Sequence, residues 1–599
     1  MEECDLIMKG GITSGVVYPH AIAEIATRYR LRNIGGTSAG AIAATFAAAA
    51  EYHRQAENGS MAGFDKIRDV AGTLASDMGT LFQPSPKMKP LYGLMIAAIE
   101  AGENGNKLLA VIGANFRIFA RQWMLGAIVA LAGVIGGILR EDLWLALFAI
   151  VLSLLLSIGC VAYRLYRLLT IDLPNENYGL CPGLTQNGSK GPAFTDWMAD
   201  RIDEIAGNVG RDGRPDRPLT VGQLQAHGVS VAAMTTDLST GRPYQLPLRT
   251  HIHYFSKREF EELFPSRVVS YLVREQDRLE TRRDDIPDDL YKLPVDNDMP
   301  VLLVARMSLS FPGLIRAVPL YRFDDEIKPE DDSTSENSDY RIRKCIFSDG
   351  GISSNFPIHF FDEFLPGRPT LGITLAEYSE ERHHRLRVWL PSNARTRTTA
   401  LPVRAIDGVL GFLMSIVDTA KDWQDTLQTK LPGYAERIVE IRLEKNEGGM
   451  NLKMPPAMIE RLAGYGRDAG RRLVEDFDFN EHRWRRALSF MSKLEEELAS
   501  LADSYAKPAP GGKHSEYSLR DVLLDYRAKS YENPSQWRLN VLSAFVEKLN
   551  VMGEDAARAM QDPKRKCVRE GNVPHIDARI RLIADADRVP AGSGGGEAD

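Results

Sequence analysis

Two long stretches without a charged residue constrain the fold of this chain more than any other feature. Residues 123–139 and 143–163 contain no Asp, Glu, Lys or Arg, and only Arg140, Glu141 and Asp142 separate them. As helices they would span about 26 and 32 Å, and the hydrocarbon core of a bilayer is about 30 Å thick. The pattern predicts a transmembrane helical hairpin, with a pair of buried core helices as the alternative.

The basic residues around these stretches predict an orientation. Arg117 and Arg121 precede the hairpin, Arg164 and Arg167 follow it, and the turn holds only Arg140. Because Lys and Arg accumulate on the cytoplasmic side of a membrane, we expect both ends of the hairpin on that side. The domain that the hairpin interrupts is then cytoplasmic as well. The acidic first residues carry no secretory signal pattern.

The remaining composition is that of a globular protein. The 599 residues carry a net charge of −7, which disfavours general binding to nucleic acid. The five cysteines are scattered without a CxxC pair, and no H-E-x-x-H motif is present. We therefore expect neither a disulfide framework nor a metal site.

The chain opens with two strand, glycine turn and helix units. Residues 6–8 and 31–34 read as short buried strands, each followed by a glycine-rich turn and then by a helix, the second over 41–52. This repetition is typical of a parallel sheet whose active loops follow the strands. Further strands are predicted at 229–234, 299–305 and 345–347, whereas the chain beyond about residue 400 reads mainly as helix.

The second turn contains the pattern G-x-S-x-G over residues 36–40. A serine on a sharp strand-to-helix turn projects its hydroxyl freely, and small residues on both sides let a substrate approach. The positive end of the following helix favours developing negative charge. Ser38 is therefore a candidate nucleophile, although the pattern alone also fits a plain glycine turn.

Two other glycine turns add to this candidate. The turn with Gly10, Gly11 and Gly15 could offer backbone N–H groups to an oxyanion, although a phosphate-binding loop or a plain turn are alternatives. It fits neither the Walker loop nor the dinucleotide fingerprint. Far downstream, Asp349 stands at a predicted strand end before Gly350 and Gly351, where it could reach the serine or simply form a common turn.

In this order the three segments resemble the patatin-like phospholipase family. Members carry a glycine-rich oxyanion loop near the N-terminus, then G-x-S-x-G, then D-G-G or D-G-A far downstream. Residues 234–241 and 305–312 also resemble family segments that lie between the nucleophile and the aspartate. The resemblance covers residues 4–115 and 195–375, and the combination of motifs is more specific than any one of them.

The resemblance implies a Ser–Asp dyad without histidine, in which Ser38 is the nucleophile and Asp349 takes its proton. It assigns the backbone amides of Gly10, Gly11 and Ile12 to the oxyanion hole. Family members need no metal or cofactor, so none is expected. The small residues that support the three motifs are Gly15, Gly36, Gly40, Gly350 and Gly351.

The sequence departs from the family in the oxyanion loop, which usually reads G-G-G-x-R/K-G. Ile12 replaces the third glycine and Ser14 replaces the basic residue. Lys9 is the neighbouring candidate for the lost positive charge. The hairpin is a second departure, because it lies between the nucleophile and the base.

Histidine remains the rival base, since it is the commonest general base in enzymes. None of the eleven histidines stands in a triad motif. Those to be weighed are His20, His53, His359, His383 and His384.

We therefore expect an α/β fold, a three-layer catalytic domain interrupted by the hairpin and followed by a helical region. The expected boundaries are 1–118 and 168–380 for the two parts of the catalytic domain, 119–167 for the hairpin, 381–589 for the helical region and 590–599 for a flexible tail. The expected reaction is hydrolysis of carboxylic esters in a membrane phospholipid or lysophospholipid. An acyltransferase or thioesterase with the same dyad, and a membrane scaffold protein without catalysis, stay open.

Overall fold

The computed structural model describes most of the chain. The described residues are 1–11, 13–100, 107–208, 210, 215, 217–274, 278–279, 286–324, 341–391, 433–444, 446–449, 451, 454–506, 518–524, 535–562 and 568, with single positions at 403, 406, 412, 415, 416, 419 and 429. Ile12 and the predicted flexible tail lie outside them.

The described residues form 14 strands and 18 α-helices. The strands are β1 Glu2–Met8, β2 Tyr29–Gly36, β3 Gly179–Cys181, β4 Ser230–Asp237, β5 Arg242–Leu246, β6 Tyr254–Ser256, β7 Arg278–Leu279, β8 Leu290–Lys292, β9 Gly313–Ile315, β10 Val318–Phe323, β11 Ile342–Asp349, β12 Thr370–Glu377, β13 Val388–Trp389 and β14 Ile438–Leu443. The helices are α1 Tyr18–Arg28, α2 Ala39–Ala56, α3 Ala62–Leu81, α4 Lys89–Glu100, α5 Lys107–Ile118, α6 Ala120–Leu139, α7 Leu143–Arg167, α8 Leu173–Asn175, α9 Phe194–Ala206, α10 Val221–Ala226, α11 Lys257–Glu261, α12 Ser266–Arg274, α13 Val301–Ser308, α14 Glu380–His383, α15 Pro456–Glu475, α16 Phe479–Ala506, α17 Leu519–Leu524 and α18 Gln536–Gln561.

One large mixed sheet organises the α/β part of the protein. Its strand order is β13-β14-β12-β1-β2-β4-β11-β10-β6-β8-β7, with β5 paired to β4. Strands β14, β12, β1, β2 and β4 are mutually parallel, whereas β11 runs antiparallel to β4. The parallel centre agrees with the repeated strand and helix units of the sequence.

The expected boundary at residue 380 is wrong. Strands β13 and β14 lie beyond it, and β14 pairs with β12 along its whole length. Helix α15 then packs against α1. The sheet therefore recruits residues that read as a separate helical region, because strand pairing between distant segments leaves no local signal in the sequence.

Alternate residues of β1 face the two sides of the sheet. Leu6 and Met8 belong to the large core beneath α1 and α2, whereas Ile7 belongs to a smaller cluster with Phe356. This alternation is the expected period of two for a strand covered on both faces. The second face is covered mainly by the 3-10 turn Ile358–Phe361 and Tyr434.

The predicted strand at 299–305 is wrong, because this segment begins helix α13 instead. The helix starts after Pro300 at its N-cap and is buried along its full length. A short continuous apolar run fits a buried strand and a buried helix equally well, so periodicity could not distinguish the two.

Helices α6 and α7 form the predicted hairpin and are long and apolar enough to cross a membrane. They pack closely, because Cβ atoms on Gly133 and Gly137 would collide with Ala149 and Ala146 on the other helix. Most of their large apolar side chains are exposed, which excludes the alternative of two buried core helices.

The chain enters and leaves this hairpin region at neighbouring points. The Ser85 amide, ahead of α4, donates a 3.0 Å hydrogen bond to the carbonyl oxygen of Leu180 in β3. Phe119 and Leu168, the residues that flank the hairpin, both belong to the main core. The α/β part can therefore close around the inserted segment.

Candidate active site

Ser38 occupies a sharp turn between β2 and α2. Its backbone has φ 52° and ψ −124°, a conformation that non-glycine residues seldom adopt and that costs on the order of 1–3 kcal/mol. Gly36 and Gly40 allow the turn, since a Cβ on either would run into the carbonyl oxygen of Met8. Strain of this kind is concentrated at functional sites.

A short segment after α13 connects Ser38 with Asp349. The Ser38 amide donates to the hydroxyl oxygen of Ser308 at 3.1 Å. Two residues later, the carbonyl oxygen of Ser310 accepts the amide of Asp349 at 3.0 Å. Since residues two apart are separated by at most about 7 Å, this bridge holds the backbone of the two predicted dyad residues close together.

The pairing of β2 and β11 with β4 brings Ser38 and Asp349 to neighbouring positions along the sheet. Gly36, two residues before Ser38, pairs with Ala233 of β4, and Asp349 pairs with Thr235 of the same strand. Asp349 is 4% exposed, and its Oδ1 accepts the Gly351 amide at 2.7 Å. The strand register therefore places the backbone of Asp349 near the turn that carries Ser38.

Arg306 holds the segment Ser308–Ser310 in place. It is fully buried and donates to the Ser310 hydroxyl at 2.8 Å and to the carbonyl oxygen of Arg316 at 2.9 Å. Burial lowers the pKa of Arg306 to about 9, so the guanidinium stays charged at neutral pH. The sequence pattern around 305–312 pointed to this segment but not to the roles of Ser308, Ser310 or Arg306.

The carbonyl oxygen of Gly11 occupies the place next to the nucleophile. It accepts the Ser38 hydroxyl at 2.9 Å and the Ala39 amide at 3.2 Å. The amide that follows a nucleophile in this type of turn is a usual oxyanion donor. In this structure that donor is therefore covered by the loop that was expected to supply the oxyanion hole.

The amide of Gly10, a predicted oxyanion donor, is engaged in this structure. It donates to the carbonyl oxygen of Asn355 at 2.8 Å. Asn355 also accepts the Thr37 hydroxyl at 2.8 Å, so it joins both turns. Ile12 lies outside the described residues, and Ala39, which the sequence prediction omitted, presents the amide nearest to Ser38.

A distant segment braces the same loop. Thr13 donates its amide at 3.3 Å and its hydroxyl at 3.1 Å to the carbonyl oxygen of Gly449. Lys9, the candidate substitute for the missing basic residue, donates to the carbonyl oxygen of Leu375 at 3.3 Å. Gly15 lies against Ala39, where a Cβ would stand 2.8 Å from the alanine Cβ. No sequence motif indicated the role of Gly449.

An apolar cavity lies beside Ser38. Helix α2 contributes Ala39, Ala43 and Phe46 to its lining. The turn after α13 contributes Leu309 and Phe311. The remaining lining residues are Thr13, Gly15, Val16, Pro19, Ile22, Ile42, Ile67, Val70, Leu81, Phe82, Phe194, Trp197 and Ile315. The apolar lining suits a hydrocarbon group.

Three of the rival histidines contact residues outside the Ser38 turn. His53 sits near the end of α2, where it contacts the carbonyl oxygen of Ala206, about 22 Å along the helix from Ser38. His359 is exposed beside Phe360, and His383 accepts the Ser379 amide. No group of His, Cys, Asp and Glu that could hold a metal ion occurs among the residues with described structure.

No family model matches the chain. The chain is similar to the "RpoH suppressor" of Rhizobium meliloti (strain 1021), with 32% identity over 618 residues, which cover 92% of this chain and 95% of that protein.

Proposed function

This chain belongs to the same family as the Rhizobium meliloti RpoH suppressor, and we propose that it is a membrane-associated serine lipid acyl hydrolase of the patatin-like type. The relative's name states a genetic effect and no reaction. The observation that carries the proposal is the strained Ser38, joined to Asp349 through Ser308 and Ser310, next to the cavity residue Ala39.

The proposed reaction uses few groups. Ser38 Oγ attacks the carbonyl carbon of an ester while Asp349 accepts the hydroxyl proton. The oxyanion receives a hydrogen bond from the Ala39 amide at the positive end of α2. The leaving alcohol departs with the proton from Asp349, and water then attacks the acyl-enzyme to release a fatty acid.

The catalytic step requires the Gly11 carbonyl to move. In the present arrangement this oxygen accepts both the Ser38 hydroxyl and the Ala39 amide. A substrate carbonyl that enters the site replaces Gly11 at the Ala39 amide, and the Ser38 proton then turns towards Asp349. The described geometry therefore corresponds to a resting enzyme.

The proposed substrate is a lipid because two features favour a hydrocarbon chain at a membrane. The cavity beside Ser38 is lined almost wholly by apolar side chains. Helices α6 and α7 are long and apolar enough to hold the enzyme on a bilayer, with the basic flanks predicting a cytoplasmic catalytic domain.

The test is fatty acid release by the full-length protein reconstituted in phospholipid vesicles. We expect release by the wild type, none by Ser38→Ala, and an unchanged rate for the matched variant Ser60→Ala, which lies in the loop before α3. Transfer of the acyl chain to a lipid acceptor in place of release would indicate an acyltransferase. Equal rates for wild type and Ser38→Ala would refute a serine mechanism.

A further inference from the structure

The cavity beside Ser38 has three lining residues that reach the surface. Of its lining residues, Gly15, Ile42 and Phe311 are partly exposed, whereas the others are buried. These three residues come from the oxyanion loop, the first turns of α2 and the turn after α13. We call Gly15, Ile42 and Phe311 the mouth of the cavity.

The mouth is connected to the chain that returns from the hairpin. Gly313, two residues after Phe311, donates its amide to the carbonyl oxygen of Tyr178 at 3.2 Å. Strand β9 then pairs with β3, which places the cavity residue Ile315 beside Cys181. The helical residues 168–175 carry the chain only about 12 Å beyond α7. The mouth is therefore connected to the base of the hairpin through β9, β3 and residues 168–178.

A buried ion pair fixes this connection. The carboxylate of Glu176, just after α8, is 6% exposed and pairs with Arg316, which follows β9. Lys87, ahead of α4, stands 3.6 Å from the same carboxylate. Both ends of the inserted segment are thus tied to the strand that borders the mouth.

An exposed apolar stripe continues from the hairpin on helix α5. Leu109, Ile112 and Phe116 are 63%, 43% and 50% exposed and share one face, since they are spaced three and four residues apart. The Phe116 ring lies 4.5 Å from the ring of Trp123 in α6. Helix α5 packs on α4, and α4 contacts β3. We call these three residues the collar.

We propose that the collar lies in the membrane interface and that the acyl chain of a bilayer lipid passes from the leaflet through the mouth into the cavity. This inference rests on the proposed function. The collar is continuous with the hairpin surface, and Arg117 and Arg121 beside it suit anionic lipid head groups. The preferred substrate is a long-chain lipid that stays in the membrane, and soluble esters reach the same serine from water.

The test compares two substrates for one collar variant. Leu109→Glu/Ile112→Glu places two charges on the collar and leaves α6, α7 and the cavity unchanged. The matched control is Val541→Glu/Val551→Glu, because both valines are similarly exposed on α18. Each protein is reconstituted in vesicles of phosphatidylcholine and phosphatidylglycerol. Release of fatty acid from these lipids and hydrolysis of p-nitrophenyl butyrate are measured side by side.

We expect the collar variant to lose at least about tenfold in fatty acid release and to keep its butyrate activity, because its contact with the leaflet is weakened. The control should keep both activities. Unchanged fatty acid release by the collar variant overturns the entry route alone. If the collar variant loses both activities, the uncharged variant Leu109→Gln/Ile112→Gln is measured in the same way. A parallel loss of both activities in that variant also overturns the entry route. Absence of both activities in the wild type removes the proposed function together with this inference.

Discussion

The hydroxyl of Ser38 donates a 2.9 Å hydrogen bond to the carbonyl oxygen of Gly11. The same oxygen accepts the Ala39 amide, so the oxyanion loop fills the position that a substrate carbonyl needs. The loop is held on both sides, by Asn355 at Gly10 and by Gly449 at Thr13. Catalysis therefore requires the Gly11 carbonyl to move while the loop stays bonded at Gly10 and Thr13.

The first prediction concerns the space around Gly11. A Cβ on Gly11 would collide with the hydroxyl of Ser14, whereas the Ser14 Cβ stands 3.6 Å away. We expect Gly11→Ala to reduce turnover by about a hundredfold, similar to the loss of one oxyanion donor. Gly11→Ala/Ser14→Ala should recover most of it, and Ser14→Ala alone should act like the wild type. No recovery in the double variant would show that the Ser14 hydroxyl is not the obstacle.

The second prediction concerns chain length. Ala43 lines the cavity one turn after Ala39, whereas the buried Ala47 does not line it. Ala43→Leu should fill the cavity, so hydrolysis of long acyl chains should fall while that of butyrate esters persists. Ala47→Leu should instead overpack the core and cost about 1–3 kcal/mol of unfolding free energy. An unchanged chain-length profile for Ala43→Leu would mean that acyl chains bind elsewhere.

The third prediction concerns the hairpin. Phe119 and Leu168 are core residues, so a short Gly/Ser linker should replace only residues 120–167. We expect a soluble protein that still hydrolyses dispersed short-chain esters and acts poorly on bilayers. The intact protein should resist extraction by alkaline carbonate. Release of the intact protein by carbonate would argue that α6 and α7 do not cross the membrane.

The fourth prediction concerns acid stability. His253 is 1% exposed between the rings of Tyr244 and Phe347, and burial lowers its pKa to about 3. The unfolded chain binds a proton below about pH 6.5 and the folded one does not, so folding stability falls as the pH falls from 6.5 towards 3.

This loss of folding stability should amount to at most about 1.4 kcal/mol per pH unit and should disappear in His253→Phe. It is measured by denaturant unfolding between pH 7.5 and 5, in the protein whose residues 120–167 are replaced by the linker. The exposed His251→Phe serves as control and should retain the wild-type slope. Parallel curves for wild type and His253→Phe would contradict the buried neutral histidine.

The parts of the fold that the sequence predicted well are local ones. Strands β1 and β2, the turn at Ser38 and the hairpin each depend on residues that are neighbours along the chain. The bonds from Ser38 to Ser308 and from Thr13 to Gly449 join residues 270 and 436 positions apart. Such contacts follow from the closing of the whole sheet, and no pattern within one segment encodes them.

The oxyanion loop marks a second limit. Glycines at 10 and 11 predicted a loop that exposes its amides, whereas the Gly10 amide donates to Asn355, a residue 345 positions away that no local pattern could indicate. The direction of the Gly11 carbonyl depends on a peptide plane, which glycine leaves open and only the surrounding structure determines.

The fifth prediction concerns the dyad. Ser38→Ala and Asp349→Asn should each abolish nearly all esterase activity, and the double variant should be little worse than either, because groups that act as a unit lose activity non-additively. Ser348→Ala, beside the aspartate but bonded to Ser310, should retain more activity. If Asp349→Asn kept more than about a tenth of the wild-type rate, less than about 1.4 kcal/mol of barrier, Asp349 would not be the base.

The most direct measurement is the covalent labelling of the purified protein with a fluorophosphonate, read by intact mass and by the modified peptide. We expect the wild-type protein to carry one adduct, located on Ser38. Ser38→Ala should carry no adduct, and Asp349→Asn should be labelled much more slowly. An unlabelled wild-type protein, or an adduct on another serine, would contradict the assignment of Ser38 as the nucleophile.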